Sequence, residues 1–95
     1  MTLYVLSCID RPDSLDRRMA AREAHLAYVA GNRDMVRLAG PYLDEAGRMI
    51  GSMFVMEAPD RAAVEGFSAA DPYVLADLFE RVEIRIWRVS VGALA

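Results

Sequence analysis

Apolar positions in this chain fall into short blocks whose period switches between two and about 3.6 residues. Leu3-Tyr4-Val5-Leu6-Ser7-Cys8-Ile9 is an almost unbroken apolar run ending at Asp10-Arg11-Pro12-Asp13. That pattern predicts a strand buried on both faces, followed by a turn. Asp13 or Ser14 is placed to cap the helix that follows, since a short side-chain oxygen satisfies the first free N–H groups. Leu15, Met19, Arg22, Leu26 and Val29 then recur at helical spacing until Gly31-Asn32, a common way to end a helix. Met35 to Ala39 reads as a weaker strand stopped by Gly40-Pro41, and Asp44-Glu45-Ala46-Gly47 as a turn. Met49 to Glu57 is a third strand, broken by Ala58-Pro59-Asp60. Asp60 can cap a second helix carrying Ala63, Val64 and Phe67, with Ser68 to Ala70 closing it. Asp71-Pro72 starts a short third helix, because Asp suits the N-cap and Pro the first helical position. Arg81 to Val91 is the last strand, rich in Val, Ile and Trp.

The resulting order is β-α-β-β-α-(α)-β, an α+β pattern of the ferredoxin-like type with a short extra helix. Helices in such a fold cover one face of the sheet. In the first strand, however, both Tyr4-Leu6-Cys8 and Leu3-Val5-Ile9 are largely apolar, so the second face also needs a cover. A second copy of the chain supplies one, and a face-to-face homodimer is expected. The 95 residues form one domain, 1–95, with no internal repeat or linker; a second core would need roughly 50 more.

Composition narrows the partners. Eleven positive side chains, all arginine, stand against fourteen acidic ones for a net charge of −3. The missing lysines suggest the codon usage of a GC-rich bacterial genome, and they exclude Schiff-base catalysis. No basic cluster can neutralise several phosphates, so nucleic acid is not an expected partner. The apolar runs are too short for a membrane span of about 20 residues, and the first residues lack the basic start of a secretory leader. A lone cysteine, Cys8, fits a reducing cytoplasm.

The chemistry-bearing side chains are few. His25 is the only histidine. It sits about 80° from the centre of the Leu15-Met19-Leu26-Val29 stripe, at the boundary between core and solvent. Arg18 and Arg22 lie on nearly the same side and could bind a carboxylate; surface solvation, with Asp13–Arg17 as an i,i+4 pair, accounts for them equally. Asp71 is fully explained as a helix cap, yet beside an imidazole it would fix the tautomer and raise the basicity. Tyr73 could donate its phenolic hydrogen bond to a ligand or merely pack in the core. One His and one Cys on separate elements make no zinc site of the usual kind, and neither glycine-rich nucleotide motif occurs. No metal and no cofactor is expected.

Arg22-Glu23-Ala24-His25-Leu26-Ala27-Tyr28, Asp71-Pro72-Tyr73 through Phe79, and Val82 to Trp87 together resemble the YCII-related (YciI-like) family, with Gly40-Pro41 and Leu3-Tyr4-Val5 fitting too. The resemblance implies a dimeric α+β barrel in which His25 and Asp71 meet as a catalytic pair, and a few relatives that act as dehydrochlorinases. It also marks a departure, Asp77, where the family often has glycine; a ligand-facing glycine there would make Asp77 a change in pocket size or charge. The reading that follows is cofactor-free acid–base chemistry, elimination or isomerisation, on a small anionic or aromatic metabolite. His25 and Asp71 would carry the reaction, with Arg18, Arg22 and Tyr73 holding the substrate. The rival readings are a non-enzymatic dimeric module that binds a metabolite or a protein, and a cofactor-free oxygenase with a deeper apolar cavity.

Overall fold

In the computed structural model, residues 1–94 are described; the last position of the expected 1–95 domain, Ala95, lies outside the described residues. The elements are β1 (Thr2–Asp10), α1 (Leu15–Ala30), β2 (Val36–Leu43), β3 (Met49–Ala58), α2 (Arg61–Ala69), α3 (Pro72–Leu75) and β4 (Phe79–Trp87). The strands form one sheet in the order β2-β3-β1-β4, with every neighbouring pair antiparallel. This is the ferredoxin-like arrangement. Among the described residues, no helix is long and apolar enough to cross a membrane.

Alternation along β1 and β3 separates the two faces. Tyr4 pairs with Met56, Leu6 with Phe54 and Cys8 with Ser52, and all six are buried under the helices. Val36, Ala58, Val64, Phe67, Tyr73, Leu78 and Phe79 complete that core. The opposite face carries Leu3, Val5 and Ile9 from β1, which pair with Glu57, Val55 and Gly51. Exposed Leu38 and Trp87 flank it, while Arg81, Glu83 and Arg85 form an ion-paired row along β4. The open face is therefore apolar at its centre and charged along one edge.

Four local readings are corrected. β2 runs through Gly40-Pro41 rather than stopping there. It is an edge strand, paired only with β3, and an edge tolerates proline because one side of the strand needs no ladder N–H. β4 starts at Phe79 and ends at Trp87, earlier at both ends than the Val/Ile pattern indicates. Neither Asp13 nor Ser14 caps α1 with its side chain: Ser14 donates to the Pro12 carbonyl, and Asp13 sits at φ 54°. Arg17 likewise makes no pair with Asp13 and donates instead to the carbonyl of Asp77 at 2.8 Å.

Gly51 fixes how closely β3 approaches its neighbours. A Cβ there would lie 2.4 Å from the Cys8 carbonyl oxygen and 2.9 Å from the Tyr42 ring. Backbone cannot yield to that clash without disturbing the β1–β3 ladder. Gly51→Ala is expected to lower stability by about 2–3 kcal/mol in urea unfolding; a loss under about 0.5 kcal/mol would show that the ladder can shift.

Candidate active site

Helix α1 packs against the sheet with a polar stripe. Arg18 and His25 are its buried residues, whereas Leu15, Met19 and Leu26 are exposed. Of the apolar stripe, Val29 alone packs against the core, and His25 is buried rather than half-exposed, with one edge on a cavity. Burying such groups is costly unless each finds partners, and both do.

Arg18 is held by Asp10 at the end of β1, Nε donating to Oδ2 at 2.8 Å and Nη2 to Oδ1 at 3.0 Å. Nη2 also donates to Ser52 Oγ on β3 at 2.8 Å. Burial alone would lower the Arg18 pKa, but the hydrogen bond and charge of Asp10 overcome it and raise the value above the usual one. The pair is almost sealed from solvent. In such a place, removing one partner costs about 3–5 kcal/mol.

His25 meets Asp71 across α1 and α3. Nδ1 lies 2.8 Å from Asp71 Oδ1, and the same oxygen accepts the backbone N–H of Tyr73 at 2.9 Å as the N-cap of α3. Asp71 is only 1% exposed and His25 7%. A carboxylate accepts hydrogen bonds, so Nδ1 is the donor to Asp71 and Nε2 is left free of it. The ring stacks on Tyr73, with centroids 3.9 Å apart and planes at 14°. Phe54 meets it edge-on at 5.9 Å. Below the stack, the Arg18 guanidinium carbon lies 4.6 Å from the centre of the Tyr73 ring, a cation–π contact.

A cavity of about 290 Å³ opens between α1 and the β2–β3 edge, with His25, Arg18, Arg22 and Tyr73 in its wall. Nε2 of His25 has no hydrogen-bond partner among the described residues and is not sealed off from solvent. His25 lines the cavity, so this atom opens into it; Tyr73 lines it too, with the Arg18 guanidinium beside its phenol. Arg22 is exposed at its wall and forms no ion pair among the described residues. Leu26, Val29, Pro41, Met49 and Phe54 supply apolar surface. Burial pushes the Tyr73 phenol up, while Arg18 and Arg22 pull in the opposite direction without reversing the shift.

All five residues singled out from the sequence gather here: four in the wall, and Asp71 behind His25. Asp10 and Ser52 escaped sequence reasoning, Asp10 because it reads as the first residue of a turn and Ser52 because it is one small polar residue inside an apolar strand. Asp77 does not face the cavity. It takes φ 56°, a left-handed conformation that Asp tolerates better than most residues, and its carboxylate pairs with Arg11 at 2.8 Å on the surface. That pairing lowers its pKa.

Fold and cavity define a ferredoxin-like domain with a buried His25–Asp71 pair, its imidazole in the wall of the cavity and its carboxylate behind. The model of the YCII-related domain matches residues 2–88, and the chain belongs to that family. Protein YciI of Escherichia coli is 36% identical over 91 residues, covering 87% of this chain and 93% of that protein. A 5-chloro-2-hydroxyhydroquinone dehydrochlorinase, TftG of Burkholderia phenoliruptrix AC1100, was solved in complex with 2,5-dihydroxybenzoquinone. It is similar in structure with a TM-score of 0.84 and 32% identity, over 90% of this chain and 93% of that one. An antibiotic biosynthesis monooxygenase shares the fold alone, with a TM-score of 0.55 at 13% identity over 96% of this chain and all of its own.

Cys8 lies beneath the site, fully buried. Burial first, then the Asp71 and Asp10 carboxylates, push its thiol up to about 12 against the opposing pull of Arg18. The unfolded thiol ionises near 9.0, so its share of stability is intact below that pH and is lost as pH rises towards 12. Stability should fall by up to about 1.4 kcal/mol per pH unit through that window. Urea unfolding of wild type and Cys8→Ala at several pH values checks this: the slope should be shallower in the variant, and identical slopes would contradict the assignment.

Proposed function

We propose that this protein is a homodimeric small-molecule enzyme that needs no cofactor, with His25 as general acid or base in an elimination or isomerisation of a small anionic or aromatic compound. The observation that carries the reading is the division of labour on His25: Nδ1 is tied to buried Asp71 while Nε2 opens into the cavity. Nε2 removes a proton from the substrate. In an elimination, the electron pair left behind expels the leaving group as an anion. Asp71 stabilises the imidazolium formed and keeps the ring aimed, and the proton then passes to solvent. Arg22, with no carboxylate of its own, draws in an anionic substrate. Tyr73 offers a hydroxyl to a ring oxygen, and Arg18 keeps Tyr73 in place from beneath. The dehydrochlorinase similarity supports the reaction class, and a cavity of about 290 Å³ suits a substituted six-membered ring.

The compound named in that relative's activity, 5-chloro-2-hydroxyhydroquinone, is the first substrate to try, with chloride release as the readout. Wild type should release chloride faster than buffer. His25→Ala should lose roughly 10²- to 10⁴-fold, and Asp71→Asn, which keeps the cap, about 10-fold or more. Wild-type rates in both variants would sink the proposal. Binding of the ring compound without turnover would favour a metabolite-binding module instead.

The homodimer rests on the apolar open face, where Val5, Met53 and Val55 lie between exposed Leu38 and Trp87. Sedimentation equilibrium should give twice the chain mass of 10.6 kDa, and Met53→Glu should shift the protein towards monomer. A monomeric wild type at tens of micromolar would refute this assembly.

A further inference from the structure

Ser52 stands in the cavity wall with the Arg18 guanidinium behind it. It is buried, and its only side-chain hydrogen bond is the one accepted from Arg18 Nη2 at 2.8 Å. A guanidinium has donors and no acceptor, so the hydroxyl proton of Ser52 cannot point back at Arg18. No other described side chain or carbonyl receives it, and the remaining open direction is the cavity. Arg18 is itself locked by two hydrogen bonds to Asp10, so the serine is fixed as an acceptor on one side and left as a donor on the other.

Charge distinguishes this wall from the rest of the pocket. Asp10 neutralises Arg18 at 2.8 Å, whereas Arg22 has no acidic partner among the described residues. The cavity therefore has one cationic side, at Arg22, and a second polar point that is net neutral and offers a single aimed O–H. The apolar side chains of Phe54 and Met49 line the same cavity. Such a pocket matches a ring with two oxygen functions, one anionic and one that accepts a hydrogen bond.

We propose that Ser52 is a specificity-determining residue, whose hydroxyl, oriented by Arg18 and Asp10, donates to a carbonyl or phenolate oxygen of a dioxygenated ring substrate. The proposal rests on the reading of this cavity as the substrate site and goes beyond it by naming a second oxygen that the substrate must carry. No bond is made or broken by Ser52; it selects which rings are held.

The test compares two probes by titration followed in the NMR signals of His25. 2,5-Dihydroxybenzoquinone carries four oxygens around its ring, two of them hydroxyls and two carbonyls, while p-cresol carries a single hydroxyl with a methyl group opposite it. Ser52→Ala should bind 2,5-dihydroxybenzoquinone roughly 5- to 50-fold more weakly and p-cresol as wild type does. Equal affinity of variant and wild type for both probes would overturn the role of Ser52. Equal weakening of both would overturn it too, since that pattern means a loosened Arg18 rather than a lost donor. Wild type that binds neither probe would instead remove the substrate site itself, which separates the two failures. Retained p-cresol binding shows that the variant's cavity is intact; should Ser52→Ala not fold, Ser52→Cys, of similar volume and weak as a donor, should give the same split.

Discussion

Everything in the site follows from one constraint: α1 turns Arg18 and His25 into the core. Neither can be buried alone, so each fixes a partner on a different element. Arg18 ties α1 to the end of β1 and to β3 through Asp10 and Ser52. His25 ties α1 to α3 through Asp71, which is also the cap that starts α3. Tyr73, held by that cap, fills the space between the two by stacking on the His25 ring and lying against the Arg18 guanidinium. Purely apolar packing of the same helix would be as stable or more so. The polar version fixes the orientation of an imidazole that opens to a cavity.

The same constraint explains what the sequence revealed and what it concealed. The order of elements was legible because turn signals such as Asp10-Arg11-Pro12-Asp13 and Ala58-Pro59-Asp60 bound the apolar runs, and the start of α3 was legible because Asp71-Pro72 is a local signal. The buried face of α1 was not, since a search for apolar periodicity finds Leu15, Met19, Leu26 and Val29, and the first three are exposed. Its true inward stripe runs through Arg18 and His25, which only tertiary partners make tolerable. Asp10 and Ser52 were hidden for the same reason: their importance comes entirely from Arg18. Pro41 looked like a strand end because its missing N–H matters in most strands, but on the outer edge of β2 it does not. The family resemblance brought His25 and Asp71 together before any geometry could, whereas the open-face cover remains an inference from Val5, Met53 and Val55.

Chemically, the cavity wall is graded. Arg22 contributes an uncompensated positive charge, His25 a lone pair on Nε2, Tyr73 and Ser52 neutral hydroxyl groups, and the β2–β3 edge an apolar surface. Cys8, though close beneath, takes no part, because burial and two neighbouring carboxylates keep its thiol protonated.

The orientation of the His25 ring is the claim on which the functional account stands, and it can be read directly. Nitrogen-15 NMR of the single imidazole, at a pH where it is neutral, distinguishes a proton on Nδ1 from one on Nε2. The account predicts the Nδ1–H form, with that proton protected from exchange in wild type and exposed in Asp71→Ala. A ring protonated on Nε2, or one averaging between both forms in wild type, would contradict it.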